Sequence, residues 1–499
     1  VTLPKAAGLI VALATLCGVA QAAPLPPEHV DDFAGKPRAV VLSDIGNEPD
    51  DQMSLVRLLM YSNQLDLEAL VATTSTWQRE QLHPETLHEL IAAYGAARPN
   101  LLLHAAGWPE AAVLDARVST GPGAYGMAAL NAGVSSPGAA AIIRAADQED
   151  ARPLWICVWG GANTLAQALT EVRATRGAEA LARFVAKLRV YSISDQDDAG
   201  PWIRREFPDL FYIVKPSLPD GEEYAAATWT GISGDRYYGN GAGADERTVT
   251  NEWLDANIRA KGPLGKHYPK FAFIMEGDTP SFLGLIDNGL NAFRSPSWGG
   301  WGGRYVYRQP YGESHAIWSQ GGDLFRRVTS ADRVRGIDGQ WHSSDQATIW
   351  RWREAYQQDF AARMDWTIKS FSGANHNPIV TVNAGAGTAP IYMDAVVGKP
   401  VTLDARATRD PDGDRLQFRW FHYDEAGLVP NQALAAVRLS KSGGPLITVT
   451  PTATCRPYWL PVVPCITGPG VAHIILMVTD AGSPALTSYR RVILRVQPR

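Results

Sequence analysis

The chain has 499 residues, enough for roughly two to four domains, and a formal net charge of −5 from 46 Lys and Arg against 51 Asp and Glu. That balance excludes a polyanion such as nucleic acid as partner, because no basic surplus is available to neutralise phosphates. Sixteen Trp and seventeen Tyr are the compositional excess; such rings fill cores, and they also stack on sugar rings.

In chain order, the first segment reads as an export signal. Lys5 precedes the apolar residues 6–20, a run too short to span a bilayer, and Ala20-Gln-Ala22 is a small-x-small cleavage pattern. Residues 1–22 are therefore expected to be a signal peptide, and the product to be secreted or periplasmic with no membrane attachment. From about residue 36 to 372 bare apolar runs alternate with helical patterns. Strands are expected at 39–43, 67–73, 154–159, 189–193 and 270–275, and helices at 50–62, 84–97, 137–150, 164–176 and 280–288. Runs without polar alternation fit a mostly parallel sheet covered on both faces. Pro84, Pro137 and Pro280 suit the first turn of their helices. One long amphipathic helix over 344–370 is expected to close this α/β domain. Cys157, inside Leu154-Trp-Ile-Cys-Val-Trp159, reads as a buried small hydrophobe.

Composition changes after Asn375. Short alternating stretches separated by Gly, Pro and Asp turns predict an immunoglobulin-like antiparallel β-sandwich over 376–499. Its Asp410-Pro-Asp-Gly-Asp414 turn carries alternating carboxylates, a pattern that serves a solvated turn and also a calcium loop. Cys455 and Cys465 flank a Pro-rich loop and are expected to form a disulfide, a local staple contributing about 2.5–3 kcal/mol in the chain-entropy model.

The chemistry concentrates at Asp44-Ile-Gly-Asn-Glu-Pro-Asp-Asp51, a tight acidic turn between the first strand and the first helix. Ligands of open α/β sheets bind at the carboxyl edge of the strands. Carboxylates crowded there repel unless a proton or a hard cation holds them. The other strands are followed by Thr73-Thr-Ser-Thr76, Gly160-Gly-Ala-Asn-Thr164, Ser194-Asp-Gln-Asp-Asp198 and Glu276-Gly-Asp-Thr279, loops that a parallel sheet gathers at one edge. Asn47, Glu48 and Glu276 join the candidate substrate contacts on that ground. A phosphatase-like reading is set aside, since Ser43-Asp44-Ile45 lacks an Asp-x-Asp pair.

Asp44-Ile-Gly-Asn-Glu-Pro-Asp-Asp-Gln-Met-Ser-Leu55 resembles the N-terminal signature of the nucleoside hydrolases. The whole mature chain resembles their exported relatives once labelled cellulose-binding, in which a nucleoside hydrolase-like domain precedes an immunoglobulin-like one. The resemblance implies one Ca2+ held by Asp44, Asp50, Asp51 and Asp278, with a backbone carbonyl from the loop at Asn163. It implies hydrolysis of a glycosidic C–N bond: calcium orients sugar hydroxyls and lowers the pKa of a bound water, and Asp44 takes the proton. Asp195, Asp197 and Asp198 are candidates for the second acid that a poor leaving group needs.

Two departures bear on the substrate. Gly277 stands where the family places a leaving-group His, and Trp77-Gln78 stands where a ribose-contacting Asn is expected. The metal end of the site is kept and the leaving-group end rebuilt, so a nucleoside is not the default substrate; a sugar, glycoside or oligosaccharide is. Trp298 and Trp301, in Pro296-Ser-Trp-Gly-Gly-Trp-Gly-Gly-Arg-Tyr305, follow no helical or strand period and are candidates for stacking such a sugar. His315 and His342, in polar loops, are further candidate acids. The alternative is a carbohydrate-binding protein that keeps fold and metal without turnover.

Overall fold

The computed structural model describes residues 30–132, 134–219, 222–234, 243–323, 328–429, 432–456, 465 and 468–499; the expected signal peptide lies outside them. Its first body is built on an eight-stranded sheet. In chain order the strands are β1 (Arg38–Ser43), β2 (Asp66–Ala72), β3 (Val118–Thr120), β4 (Leu154–Val158), β5 (Leu188–Ser192), β6 (Phe211–Ile213), β7 (Val306–Arg308) and β8 (Ile317–Ser319). Their spatial order is β3-β2-β1-β4-β5-β6-β8-β7. All neighbours are parallel except β7, which closes one edge antiparallel to β8. The order turns back between β1 and β4, and at such a switch point the loops after the two strands diverge and leave a crevice.

Every residue of β1 and β4 is buried, as their unbroken apolar sequence requires of central strands covered on both faces. Val40, Leu42, Ile156 and Val158 belong to one core cluster, while Ala39, Val41, Trp155 and Cys157 belong to the other. Burial pushes the Cys157 thiol up to about 12, in keeping with an inert packing role.

Three expected elements differ. Residues 270–275 do not join the sheet; the run is apolar because Phe273 and Ile274 line a cavity beside the strand ends. The helix over 280–288 is a single turn, Pro280–Leu283. The expected long helix is broken into Ala347–Trp350 and Arg353–Asp365, with Trp352 turned against Phe421, Tyr423 and Tyr489 of the sandwich.

In the second body a five-stranded sheet, Ile391–Val396, Thr487–Gln497, Gly470–Thr479, Gln417–His422 and the short Ala433–Leu434, faces a three-stranded one, Val401–Asp404, Leu446–Ala453 and Ala436–Leu439. Leu403, Ile447 and Val449 of the smaller sheet share a core with Trp420, Ile474, Leu476 and Val492 of the larger. The pairing is antiparallel as expected, except that Ile391–Val396 runs parallel to Thr487–Gln497 and Ala433–Leu434 parallel to Gly470–Thr479. The Cys455–Cys465 disulfide is formed. No helix among the described residues is long and apolar enough to cross a membrane.

The two bodies share a core. Tyr423, Ala426, Val429, Ile475 and Tyr489 of the sandwich sit in the same buried cluster as Trp301, Trp352 and Tyr356. Here Trp298 and Trp301 are corrected. They are 2 % and 1 % exposed, so neither ring offers a face to a sugar. Trp298 packs edge-on against His473, with the Arg491 guanidinium 5.5 Å from its ring. Trp301 stands between Tyr356 and Tyr489 and donates to the Tyr489 hydroxyl at 3.3 Å. Arg491 also donates to the carbonyls of Leu290 (2.6 Å) and Gly299 (2.8 Å). Glycine beside the two Trp lets a side chain of the sandwich approach the loop backbone: a Cβ on Gly299, where φ is +71°, would meet the Tyr423 hydroxyl at 2.3 Å.

Candidate functional site

The acidic turn leaves β1 at the switch point. Asp44 lies against Gly160, the loop residue after β4, so closely that a Cβ there would come within 2.7 Å of the Asp44 carboxylate; only glycine fits. Helix α1 (Pro49–Leu59) starts at once, with Pro49 in its first turn and Asp50 and Asp51 following. Acidic residues at a helix N-terminus lie at the positive end of its dipole, which partly offsets their crowding. The Ser43 hydroxyl donates to Asp51 Oδ1 at 2.5 Å and accepts from the Ile45 amide at 3.1 Å, fixing the turn. Gln78 donates to the carbonyls of Asp44 (3.1 Å) and Ile45 (3.3 Å).

Asp278 arrives from far along the chain and is held by Glu276. The Glu276 carboxylate takes Arg57 of α1 on both oxygens, at 2.5 and 3.1 Å, and accepts from Tyr268 (2.6 Å) and Thr279 (3.0 Å). Both partners of this ion pair are fully buried. Glu276 adopts a left-handed backbone, φ +60°, a strain that side-chain anchorage of this kind sustains. The pair therefore ties the 276–279 loop to the helix bearing Asp50 and Asp51. Glu276 is thus corrected from a substrate contact to a positioning residue, because its carboxylate is spent on Arg57 in the core.

Asp50, Asp51 and Asp278 each bring a carboxylate oxygen within 4.8 Å of the others. Asp44 is outside that trio but beside it, close enough for Ser75 and Asp51 to act on its carboxyl. Burial pushes Asp44 up to about 6. Burial, then the charges of Glu48 and Asp44, push Asp50 up to about 8. Asp51 and Asp278 are driven well above the ordinary carboxylate range by burial and by the other acids. The largest influences on these four are burial, the neighbouring acids and hydrogen bonds, with no Lys, Arg or His among them, and Asp278 Oδ2 is buried without a hydrogen-bond partner among the described residues. Buried carboxylates converging with an orphaned oxygen suit a hard divalent ion: an all-oxygen donor set fits calcium, which takes six to eight such ligands.

Above the acids is a cavity of about 330 Å³. Asp44, Asn47, Glu48 and Trp77 line it, as expected, with Asp50, Asp51 and Asp278. Trp77 is 47 % exposed, so a ring face at the rim remains open. Trp159, Ile193, Gln196, Tyr224, Trp229, Phe273 and Ile274 complete the wall. Trp229 and Tyr224 come from short helical turns well after β6 in sequence, reach the loop after β5 through Ser194 (3.0 Å) and the Asp195 carbonyl (3.4 Å), and are marked by no motif in the sequence. At Gly277 a Cβ would meet Asp50 Oδ2 at 2.7 Å and Trp229 at 3.3 Å. Trp229 thus crowds the place of a leaving-group side chain.

Several candidates serve the scaffold instead. Gln78 clamps the Asp44 turn and does not line the cavity. Asp195 is a buried partner of Arg204, at 2.7 and 2.9 Å. Asp197 accepts the amides of Asn163 and Ala199, both at 3.0 Å, and burial pushes it up to about 7. Asp198 accepts the Met127 amide at 2.8 Å. None of the three lines the cavity; the loop after β5 spends its acids on backbone amides, mostly of neighbouring loops, and on Arg204. Asn163, expected to offer a backbone carbonyl, does not line the cavity; its side chain donates to Thr74 (3.1 Å) and the Ala124 carbonyl (2.9 Å). His342 bonds Asp338 on an outlying ribbon and His315 bonds Ser314, both away from the cavity.

A doubly wound α/β sheet with an acidic cluster at its switch point, fused to a β-sandwich, defines the class as nucleoside hydrolase-like. Residues 38–305 match the family model described as cellulose-binding Sde182, nucleoside hydrolase-like domain, and residues 400–496 match that of the cellulose-binding protein Sde0182 C-terminal domain. A solved structure of a nucleoside hydrolase-related hypothetical protein from Saccharophagus degradans, described as associated with carbohydrate metabolism, is 34 % identical. It covers 93 % of this chain and 100 % of its own, with a TM-score of 0.74. The chain belongs to this Sde182 family. The effector protein XOO4466 is a weaker match, 13 % identical over 58 % of this chain and 89 % of its own, with a TM-score of 0.28. Among curated proteins none matches.

Proposed function

We propose that the protein is an exported, calcium-dependent hydrolase of glycosidic bonds, N-glycosyl or related, acting on a sugar, glycoside or small oligosaccharide. The observation that carries this reading is the convergence of Asp44, Asp50, Asp51 and Asp278 at the floor of an aromatic-walled cavity, with one carboxylate oxygen unpartnered. The carbohydrate association of the Saccharophagus degradans relative supports it. Asp50, Asp51 and Asp278 would hold the ion. When bound, calcium supplies the charge that fixes vicinal hydroxyls and makes a neighbouring water easier to deprotonate. Asp44, beside the trio rather than within it, is the group free to take that proton. The open face of Trp77 and the ring of Trp229 hold the sugar or its leaving group by stacking. A cavity of about 330 Å³ is at the small end of ligand pockets, which favours a short glycoside over a polymer strand.

One observation favours a second reading, a sugar-binding protein without turnover. Among the described lining residues no His stands opposite the acids, and Gly277 leaves no room for one. The experiment that separates the two is calcium analysis followed by a hydrolysis screen of nucleosides, aryl-glycosides and plant-wall oligosaccharides, with wild type and Asp44→Asn. The enzyme reading expects turnover that chelator abolishes and Asp44→Asn lowers by about 10²–10⁴, with calcium still bound. Sugar affinity without turnover would transfer the assignment to the binding protein; parallel loss of calcium in Asp44→Asn would remove Asp44 as base.

A further inference from the structure

The Asp410-Pro-Asp-Gly-Asp414 turn is not used by the site above, and the structure gives it company. Asn375, in the linker between the two bodies, donates its side-chain amide to Asp480 Oδ1 at 3.0 Å and to the Pro484 carbonyl at 2.7 Å. Its neighbour His376 donates its backbone amide to Asp412 at 2.7 Å. The 410–414 and 480–486 turns of the sandwich therefore converge on one two-residue segment.

In each turn the carboxylate is split in role. Asp480 Oδ1 accepts the amides of Gly482 and Leu486, both at 3.0 Å, and Asp410 Oδ1 accepts those of Asp412 (2.9 Å) and Asp414 (3.1 Å). The second oxygens, Asp480 Oδ2 and Asp410 Oδ2, are buried with no hydrogen-bond partner among the described residues, and so is Asn375 Oδ1. Asp480 and Asn375 are each only 5 % exposed. Asp410 is close enough for its charge, with burial the larger cause, to push the Asp480 carboxyl up. No Lys or Arg pairs with either carboxylate among the described residues. Unpartnered acceptor oxygens are costly to bury, and these three belong to neighbouring residues, Asn375 bonded to Asp480 at 3.0 Å and Asp410 near enough to act on it by charge; a cation is the partner that such acceptors lack. Space is kept for the arrangement by Gly482, where a Cβ would lie 2.2–2.4 Å from the Asn375 amide atoms.

We propose that Asn375, Asp410 and Asp480 form a second calcium site, at the junction of the α/β body and the sandwich, whose role is to lock that junction. Asn375 is already tied to the α/β body, since Trp366 donates to its carbonyl at 2.9 Å, while both carboxylates belong to the sandwich. Two carboxylates and an amide leave room for water in the shell, so affinity belongs with weak extracellular calcium modules, about 10⁻⁴–10⁻³ M.

The test uses the full chain, stripped with chelator, carrying Asp50→Asn and Asp278→Asn to disable the first cluster. Calorimetric titration with calcium alone should find one site, and a calcium-dependent rise in Tm together with protection of the 372–380 linker from protease. Adding Asp410→Asn or, independently, Asp480→Asn should weaken that site at least tenfold and abolish both effects. Asn keeps an oxygen for the turn amides, and the two variants lie on different turns, so one misfolded product does not void the result. No calcium bound by the doubly substituted chain, or a site unmoved by both further substitutions, overturns the proposal. Loss of hydrolysis has no bearing on it.

Discussion

Trp301→Ala distinguishes a sugar platform from a structural wedge. The indole is 1 % exposed and stands 6.2 Å from both Tyr356 and Tyr489 in edge-on geometry, with its Nε1 on the Tyr489 hydroxyl. Truncating a buried Trp costs about 3–5 kcal/mol in a core that cannot collapse onto the void. Here the void lies between two bodies, so collapse would require them to move together, and the upper end of that range is expected. Against a typical stability of about 5–15 kcal/mol, the loss is large. Urea unfolding followed by fluorescence and far-ultraviolet dichroism should show a much lower midpoint. Calcium content and affinity for whichever sugar the screen identifies should be kept at low temperature in the folded fraction. A variant that unfolds with the wild-type midpoint yet loses sugar affinity would refute the structural assignment and restore the loop as a binding surface.

Glu276→Gln should destabilise the fold by about 3–5 kcal/mol, because it leaves the Arg57 guanidinium buried without its countercharge. It should also weaken calcium binding at Asp50, Asp51 and Asp278, although no ligand has changed; unchanged affinity in calorimetry would show that the 276–279 loop holds its place without the pair. The pH dependence runs opposite to that of an ordinary salt-bridged carboxylate. Asp44 and Asp50 are raised from 3.8 to about 6 and about 8, so between about pH 4 and 8 the folded calcium-free state binds more protons than the unfolded one. Their contribution is therefore most favourable at low pH and is lost as pH rises through those values. The calcium-induced rise in Tm should accordingly grow from about pH 5 to about pH 8, and a rise that is flat or shrinks would contradict the protonated cluster. Deleting residues 376–499 removes Tyr423, Ile475 and Tyr489 from the shared core. The remaining fragment should be insoluble or bind hydrophobic dye, whereas a soluble fragment with a cooperative transition would show that the first body is self-sufficient.

The sheet was legible where sequence and burial carry the same information. Residues 39–43 and 154–159 are bare apolar runs because both faces of β1 and β4 are covered, and the acidic turn after the first run can only sit at the strand's carboxyl edge. Residues 270–275 have the same texture, and the texture misleads: an apolar stretch lining a cavity and an apolar stretch in a sheet differ only in where their backbone hydrogen bonds go, which no local pattern records. The helix expected over 344–370 fails for a related reason. Its periodicity is interrupted at Arg351 and Trp352, residues that answer to Phe421 and Tyr423 of the sandwich, about seventy positions away.

The same distinction divides the site. Asp44, Asp50 and Asp51 are read from sequence because one strand, one turn and one helix place them; Asp278 is reached only through the family resemblance, behind a run that is not the strand it was expected to follow. The wall opposite comes from Tyr224, Trp229 and Phe273, delivered by connections whose course depends on the whole fold. An excess of Trp did not say which rings could meet a ligand: Trp298 and Trp301, on the most suggestive loop, are consumed by the sandwich, while Trp77 and Trp229 meet the cavity. That partition has a physical logic. A glycine-rich loop lets side chains of the other body, here Tyr423 and Arg491, approach its backbone closely, which is what an interface between domains needs. A ring that must hold a sugar needs one face left free, and only a residue at the rim or wall of the cavity can leave it so.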